Sequence, residues 1–502
     1  MFKIFKYTFI ILIAGSLVQA CKKEEVIELT PEFSLDAVTN PSSMDQVEQV
    51  LLGAYSGFRN ANYYGSGSGT GAGWALMPDV LSDNLYETLT SLANSRTMSE
   101  WTYNSNTGQI ASFYQAPYAV IASANIVLRD IDEFTTASNQ KTANRIKGQA
   151  YAIRALAHFD LFRYFAVKYD RASTTDLALY YSKEFTPTES FKPSRMSNKE
   201  YYDNLFADID KAIALLLDVD KVINPASGLT RPYIDLTAVY ALHARVYLYA
   251  GMWTEAVSAS TKAINLRPLV NLNQAAFSGM YNQSHAGEII WNVQFESGQS
   301  GPTFLVYFAT GAPPRNYFRP ALEIADTTGN NGLIRSNDIR YSAFFTKAND
   351  NTSKGLGLTK FKGKGSVSDG VANFPVFRTG EMYLIRAEAN ARLGGAGEAL
   401  GLADLNALRA ARITGYTPVT LSGSALLSAI ADERRRELVG EGHRFFDLKR
   451  TTRNIVRGST CGNTALSPVG FCTLSPTARE WALPIPESVR NANTNEIQNP
   501  NY

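Results

Sequence analysis

Three glutamates that recur every four residues are the first candidates for acid–base chemistry in this sequence. Glu433, Glu437 and Glu441 lie in a charged segment that also contains Arg434 and Arg444. Like charges at this spacing destabilise an isolated helix, so the glutamates need cationic partners. A glycosidase requires two carboxyls on opposite sides of the scissile bond, and carboxyls on one helical stripe cannot flank a sugar. We therefore predict that the segment is a structural ion-pair helix and not a catalytic site.

The histidines do not form a catalytic or metal-binding set either. They are far apart in the chain, and none belongs to an H-E-x-x-H pattern: His158, His243, His285 and His443. The glycine-rich stretch 65–73 matches neither a nucleophile elbow nor a phosphate-binding loop. The sequence favours a protein that is not an enzyme and has no metal or cofactor, with a surface glycoside hydrolase as the alternative.

Aromatic and planar polar side chains in two loop-rich stretches are the predicted ligand-binding residues. The chain has 26 Tyr against 4 His, which favours stacking and hydrogen bonding over metal chemistry. Aromatic rings offer flat apolar faces to sugars, while Asn, Asp and Arg bind hydroxyl groups. The first stretch contributes Tyr63, Tyr64, Trp74, Asp83, Asn84 and Arg96, and the second contributes Tyr307, Arg315, Tyr317 and Phe318.

Two of the three cysteines lie close together near the C-terminus. Cys461 and Cys472 occur in a stretch rich in Gly, Ser, Thr and Pro, with no histidine nearby to complete a zinc site. A disulfide between them would stabilise a surface loop by roughly 3 kcal/mol. We predict this disulfide, and with it an oxidising compartment; metal binding by the two thiols is the alternative.

The third cysteine follows an export signal. Lys3 and Lys6 precede the apolar run 8–18, and the sequence L-V-Q-A-C ends at Cys21. This pattern looks like a bacterial lipobox and predicts a signal peptide over 1–20, lipidation of Cys21 and a tether over 21–40. Ordinary cleavage after Ala20 is the alternative. No later stretch is long and apolar enough to span a bilayer.

Helix pairs with small residues at their crossings make up much of the remaining chain. Ala244, Gly251, Glu255 and Ala256 share their spacing with residues 387, 394, 398 and 399, as in tetratricopeptide repeats. We predict pairs over about 44–60 with 110–132, 147–217, 236–268 and 380–412. Loop-rich insertions are predicted over about 61–107, 278–377 and 451–502, with a short strand near 289–295.

The charge balance bears on possible partners. Lys and Arg total 48 against 46 Asp and Glu, so the net charge of +2 gives no sign of a nucleic-acid partner.

Long motifs in the chain resemble the SusD/RagB family. They are R-A-L-A-H-F-D-L-F-R-Y-F (154–165), R-A-E-A-N-A-R-L-G (386–394), I-A-D-E-R-R-R-E-L-V-G-E-G-H-R-F-F-D-L-K-R (430–450) and the tail from L-P-I-P-E-S-V-R (483–502). The resemblance covers essentially the whole chain after the export signal. It implies that 41–502 form a single domain.

The resemblance implies a mainly α fold, with four tetratricopeptide-like helix pairs packed against a loop-rich part with short strands. It also implies a lipoprotein on the outer face of the outer membrane. Such a protein binds oligosaccharides and delivers them to a SusC-like TonB-dependent transporter. A peptide ligand is the alternative, as in RagB-like members. Ligand-binding residues follow no shared motif in the family, so the loop residues above rest on composition alone.

Overall fold

The computed structural model describes residues 39–66, 73–219, 223–224, 228–269, 271, 273–299, 301–302, 316–347, 355–365 and 369–502. The predicted signal peptide, the lipidation site Cys21 and nearly all of the predicted tether lie outside the described residues.

Helices dominate the described part of the chain. The long ones are α1 (Met44–Gly57), α4 (Gly108–Asp130), α5 (Gln140–Phe165), α6 (Asn198–Leu216), α7 (Leu236–Ala250), α8 (Trp253–Leu266), α11 (Thr379–Leu393), α12 (Ala396–Ala410) and α13 (Gly423–Leu438). The short ones are α2 (Met77–Val80), α3 (Arg96–Ser99), α9 (Gln274–Asn282), α10 (Ile339–Phe344), α14 (Arg444–Arg450) and α15 (Glu487–Ala492), with 3-10 turns at Ile131–Phe134 and Arg479–Trp481.

Local sequence signals fix several helix ends. Ser197 and Glu200 form a capping box at the start of α6, in which each side chain bonds the other residue's backbone. The Asp235 side chain accepts a hydrogen bond from the backbone N–H of Ala238 at the start of α7. Gly251 ends α7 with φ of 69°, a left-handed conformation that glycine adopts without strain.

The helices pack in pairs that adjoin one another. α1 packs on α4, α5 on α6, α7 on α8, and α11 on α12. Neighbouring pairs touch through α4 with α5, α6 with α7, and α8 with α11. Small residues allow the close approach: a Cβ on Gly148 in α5 would lie 2.7 Å from Cγ of Leu216 in α6. The prediction of a mainly α fold with helix pairs and only short strands is confirmed.

The strands are short and pair two by two. They are β1 (Leu85–Glu87), β2 (Ile289–Val293), β3 (Phe318–Pro320), β4 (Phe345–Lys347), β5 (Leu356–Leu358), β6 (Phe374–Arg378), β7 (Ile455–Val456) and β8 (Thr473–Leu474). The antiparallel pairs are β1 with β3, β2 with β6, β4 with β5, and β7 with β8. The disulfide bond Cys461–Cys472 joins the segments next to β7 and β8, and its two Cα atoms are 5.5 Å apart.

The charged segment 430–450 is not one continuous helix, which differs from the prediction. α13 ends at Leu438 and α14 begins at Arg444, so Glu441 lies in the turn between them. Gly442 has φ of 75°, and a Cβ there would lie 1.9 Å from the carbonyl oxygen of Trp74. Only glycine fits this turn, because it tolerates both the backbone conformation and the contact.

The core lies between the helix pairs and the loop-rich part, and the C-terminal segment lies against it. The backbone N–H of Leu483 donates to the carbonyl of Tyr164 in α5 over 2.9 Å. The Asn499 side chain donates to the carbonyls of Phe165 and Leu483 over 2.8 and 2.7 Å. Within the described residues, no helix combines the length and the apolar character needed to cross a membrane.

Candidate ligand-binding site

The two loop-rich stretches that hold the predicted ligand-binding residues meet in the folded chain. β1 belongs to the first stretch and β3 to the second, and Tyr86 is paired with Arg319 in their ladder. Beyond the ladder, the backbone N–H of Thr88 donates to the carbonyl of Tyr317 over 2.9 Å. The Thr88 hydroxyl donates to the carbonyl of Asn316 over 2.5 Å. The two stretches are therefore adjacent in the folded chain and together form one surface.

A third loop packs against the same ladder. β5 contacts β3, and a Cβ on Gly355 would lie 3.1 Å from the Tyr86 hydroxyl. A Cβ on Gly357 would lie 2.9 Å from Nδ2 of Asn316. We call residues 85–100, 316–320 and 355–358 the loop cluster. Its members come from three parts of the sequence, which no local pattern could have grouped.

Two leucines are the large apolar side chains that the loop cluster exposes. Leu89 and Leu92 are 53% and 54% exposed. They follow β1 in a turn whose far end is held by an ion pair between Arg96 and Glu87, with Nη2 and Oε1 3.1 Å apart. Exposed apolar groups on a well-anchored loop are candidates for ligand contact. The sequence analysis missed both leucines, because an isolated leucine in a loop belongs to no motif.

Tyr63, Tyr64 and Trp74, predicted to bind ligand, are core residues instead. They are 0%, 2% and 1% exposed. The hydroxyls of Tyr63 and Tyr64 both donate to Oδ2 of Asp160, over 2.8 and 2.9 Å. The Trp74 ring packs edge-on against Tyr63, with their centroids 4.8 Å apart. A ring without exposed surface cannot stack on a sugar, so these residues do not enter the site proposed below.

The predicted polar residues Asp83 and Asn84 are bonded within the protein. Nε of Arg444 lies 2.7 Å from Oδ1 of Asp83, and Nη2 of Arg435 lies 3.2 Å from Oδ2. Burial raises the pKa of Asp83, but the two arginines outweigh it and lower that pKa to about 2. The Asn84 side chain donates to Oδ1 of Asp79 over 2.6 Å and accepts from Nε of Arg435 over 2.8 Å. Both residues therefore hold the loop cluster against α13 and α14.

The remaining predicted residues come from the second stretch. Tyr317 and Phe318 are in the loop cluster but are buried. Tyr307 and Arg315 lie outside the described residues. Among the predicted binding residues in the described loop cluster, Arg96 is the most exposed, with a side chain that is 35% exposed.

Glu437 is the centre of a buried ion-pair cluster. Its carboxylate accepts from Nη1 of Arg340 over 2.7 Å and from Nη2 of Arg412 over 3.1 Å, and it is also bonded to Nη1 of Arg378. Burial alone raises the pKa of Glu437, but the three guanidiniums hold it well below its usual value. A carboxylate held in this way stays charged and cannot act as a general acid.

The other two glutamates are paired as well. Glu433 accepts from Nε of Arg409 and Nη1 of Arg436, each over 2.7 Å. Burial raises the pKa of Glu433, while Arg340 and these two arginines lower it to about 2. Glu441 is bonded to Nζ of the buried Lys360.

Arg434 and Arg444, which we expected to partner the glutamates, have other roles. Nη2 of Arg434 lies 3.1 Å from Oδ1 of Asp447 in α14, and Arg444 holds Asp83. Most partners of the glutamates come from positions far away in the chain, so the spacing within 430–450 could not reveal them. Among the described residues, no group of three or more His, Cys, Asp or Glu could hold a metal ion.

Comparisons with known proteins agree with this architecture. The family model described as "SusD family" matches residues 339–502, and the one described as "Starch-binding associating with outer membrane" matches residues 67–248. In sequence, the chain is similar to the SusD-like protein P38 of Formosa agariphila. The two are 24% identical over 517 residues, which cover 90% of this chain and 92% of that protein.

Solved structures share the fold over nearly the whole chain. A SusD superfamily protein from Bacteroides thetaiotaomicron has a TM-score of 0.78 at 23% identity, covering 91% of this chain and 100% of that one. A protein named as a laminarin-binding SusD-like protein has a TM-score of 0.67 at 22% identity, covering 92% of this chain and 100% of that one.

Proposed function

Because the chain belongs to the SusD/RagB family, we propose that it is a surface lipoprotein that captures oligosaccharides for an outer-membrane transporter. The partner is a SusC-like TonB-dependent transporter, and lipidated Cys21 anchors the protein to the outer face of the outer membrane. The match of two such family models to separate parts of the chain carries this proposal. One of them is described as starch-binding and associating with the outer membrane.

The loop cluster is the proposed ligand-binding surface. Three loops from separate parts of the sequence form it, and binding residues commonly lie on loops held by a rigid scaffold. Leu89 and Leu92 offer apolar contacts to the C–H faces of a sugar, and Arg96 offers hydrogen-bond donors to its hydroxyls. Tyr307 and Arg315 stay proposed ligand contacts, because they belong to the stretch that leads into β3.

Binding without catalysis is the role that the charges support. Glu433, Glu437 and Glu441, the carboxylates that suggested acid–base chemistry, are each held by cations. The depressed pKa values of Glu433 and Glu437 suit permanent structural ion pairs and do not suit an acid that must give up its proton near neutral pH. A hydrolase would need two carboxyls facing a sugar from opposite sides.

Co-purification tests the transporter partnership. The chain, tagged at its C-terminus and extracted in mild detergent from its own bacterium, is expected to bring down a TonB-dependent transporter in comparable amount. The Cys21→Ala variant is the control, and it should leave the membrane fraction because it lacks the acylated thiol. Recovery of the tagged protein without any such transporter would contradict the proposal.

A further inference from the structure

A large groove opens at one end of the helix pairs. Its volume is about 1010 Å³, and its walls come from residues 167–172, 248–253, 392, 449–453, 476–479, 481–482 and 499–501. None of its lining residues belongs to the loop cluster. The groove is therefore separate from the ligand-binding surface proposed above.

Positive charge is concentrated in this groove. Seven lining residues are Lys or Arg and one, Asp170, is acidic, whereas the whole chain has nearly equal numbers of both signs. Such a concave lining of mostly cationic side chains attracts anions where the cations are not already paired.

Five of the seven described lining cations are paired with carboxylates that lie outside the lining: Lys168 with Asp176, Arg171 with Asp203, Arg392 and Arg450 with Glu388, and Arg479 with Glu480. Arg450 is bonded to Glu388, with Nη2 and Oε2 2.7 Å apart, and to Asp447. Lys449 donates only to backbone carbonyls among its described hydrogen bonds, those of Arg163 and Ala166, over 3.0 and 2.6 Å. Among the described residues, Lys449 and Arg453 are therefore the lining cations without a carboxylate partner in an ion pair.

Two lining residues have buried polar atoms without a partner. Nε of Arg453 and the phenol oxygen of Tyr249 are buried, and neither has a hydrogen-bond partner within the described residues. Tyr249 is only 5% exposed. Unsatisfied buried donors are uncommon and costly, so these two groups are suited to donate to the acceptor oxygens of a ligand.

The electrostatics of Arg453 favour the binding of an anion beside its guanidinium. Burial and the neighbouring Arg444 lower the pKa of the Arg453 guanidinium from its usual value, although Asp447 opposes them. Cations in a concave wall repel one another unless an anion lies between them. A ligand with acidic groups and acceptor oxygens would satisfy both the charge and the hydrogen-bond donors.

The groove is poorly suited to bind another protein. The fully buried core of a protein interface is usually more apolar than the rest of the surface. None of the described lining residues is an exposed large hydrophobic residue. Its aromatic rings are covered by cations: Arg392 lies over Trp253 at 5.0 Å and Lys449 over Tyr169 at 4.7 Å from the ring centroids.

We propose that this groove is a second binding site and that its ligand is an oligosaccharide bearing carboxylate or sulfate groups. The volume accommodates several sugar units, and the lining supplies charge-assisted hydrogen bonds to their acidic groups. The choice of an oligosaccharide rests on the proposed function, whereas the acidic groups follow from the lining, and binding here requires neither the transporter nor the loop cluster.

Calorimetry with three glycan probes tests the inference on the full protein purified in detergent. The probes are oligogalacturonates for carboxylates, sulfated carrageenan oligosaccharides for sulfates, and neutral galacto-oligosaccharides of similar length. We expect at least one acidic probe to bind in preference to the neutral one. Raising NaCl from about 50 mM to about 500 mM should weaken that binding, because salt screens exposed charges.

Matched variants locate the site. Lys168→Gln together with Arg453→Gln should weaken binding of the acidic probe by about tenfold or more, since two of the groove's cations are removed. Lys168→Gln alone, at an exposed position, should preserve the thermal unfolding temperature and weaken binding by a smaller factor. Lys141→Gln is the control, because Lys141 is also an exposed lysine in an ion pair, 2.7 Å from Asp218, but lies outside the groove.

The outcomes separate the alternatives. Binding of the carboxylated probe alone, the sulfated probe alone or both identifies the acidic group and supports the inference. It is overturned if neither acidic probe binds, if the groove variants weaken binding of the neutral probe as much as that of the acidic one, or if the groove variants bind like Lys141→Gln. Preferential binding of a polyglutamate peptide would also overturn it and would assign the groove to an acidic protein segment.

Discussion

Glu437 shows at the residue scale how this fold keeps charge in its interior. The side chains of Glu437, Arg340 and Arg412 have no exposed surface, and that of Arg378 is 1% exposed. A buried ion pair is not a large source of stability in itself, because desolvation offsets its attraction. Removing one member is costly, however, because it leaves the opposite charges buried without compensation.

The substitution Glu437→Gln should therefore destabilise the protein strongly. We expect a loss of about 3–5 kcal/mol in the free energy of unfolding, since three guanidiniums would lose their shared carboxylate. Urea denaturation followed by circular dichroism measures it. Glu296→Gln is the control, because Glu296 forms an exposed ion pair with Lys364, and it should change little. Equal effects of both substitutions would contradict the structural role of the cluster.

At the same scale, the sequence shows which residue types can bind sugars but not which of them reach the surface. Tyr63, Tyr64 and Trp74 lie beside a glycine-rich stretch, where a buried ring and an exposed ring look alike. These three rings are buried because Tyr63 and Tyr64 bond to Asp160 and Trp74 packs against Phe113, and both partners lie in other elements. Leu89 and Leu92 were missed for the opposite reason, because leucine usually belongs to the core.

At the element scale, the repeats predicted the helix pairs better than they predicted the helix ends. Small residues recur at helix crossings, and that spacing is visible in one sequence. The break between α13 and α14 was missed because its glycines look like ordinary helix-weakening residues. Its cause is a contact with Trp74, which lies more than three hundred residues earlier.

The substitution Gly442→Ala tests this break. We expect it to destabilise the protein by more than the roughly 1 kcal/mol that a left-handed alanine costs, because its Cβ would also overlap the carbonyl of Trp74. Gly462→Ala is a matched control: Gly462 has φ of 71°, but its Cβ would come no closer than 3.8 Å to Sγ of Cys472. Chemical denaturation of both variants gives the comparison, and equal losses would show that the contact does not matter.

At the scale of the whole molecule, the buried carboxylates predict how stability depends on pH. Arginine partners outweigh burial and hold the pKa values of Asp83, Glu388, Glu433 and Asp447 at about 2. In the unfolded chain these groups titrate near about 4. A depressed folded pKa stabilises the protein above the unfolded pKa, and this contribution is lost as pH falls through the folded value.

We therefore expect the free energy of unfolding to fall steadily between about pH 5 and about pH 2, where these four carboxylates lose their ion pairs. Five of the described carboxylates oppose the trend, because burial raises their pKa values, that of Asp79 to about 6: Asp79, Asp210, Glu288, Asp404 and Glu496. The seven described carboxylates with lowered pKa values outnumber them: Asp83, Glu200, Asp326, Glu388, Glu433, Glu437 and Asp447. Denaturation midpoints measured across this range test the sign. Unchanged or rising stability toward pH 2 would contradict the ion pairs described here.

The mainly helical architecture could be predicted from the sequence, because motifs such as 154–165 and 430–450 are long and specific. The assembly of the loop cluster could not, since its three parts meet only through the β1–β3 ladder and the packing of β5. The groove lined by Arg453 and Tyr249 could not be predicted either, because its walls come from six separate parts of the chain.

Calorimetry of glycan binding tests the central claim most directly. Soluble protein lacking residues 1–21 is titrated with a panel of plant, host and microbial oligosaccharides and with mixed peptides. We expect saturable binding to one glycan class, weakened when Leu89 and Leu92 are both replaced by Ala. It should be unchanged when the exposed Leu217 and Leu400, which lie outside the loop cluster, are replaced instead. Binding to peptides alone, or glycan binding that both double variants retain in full, would contradict the account.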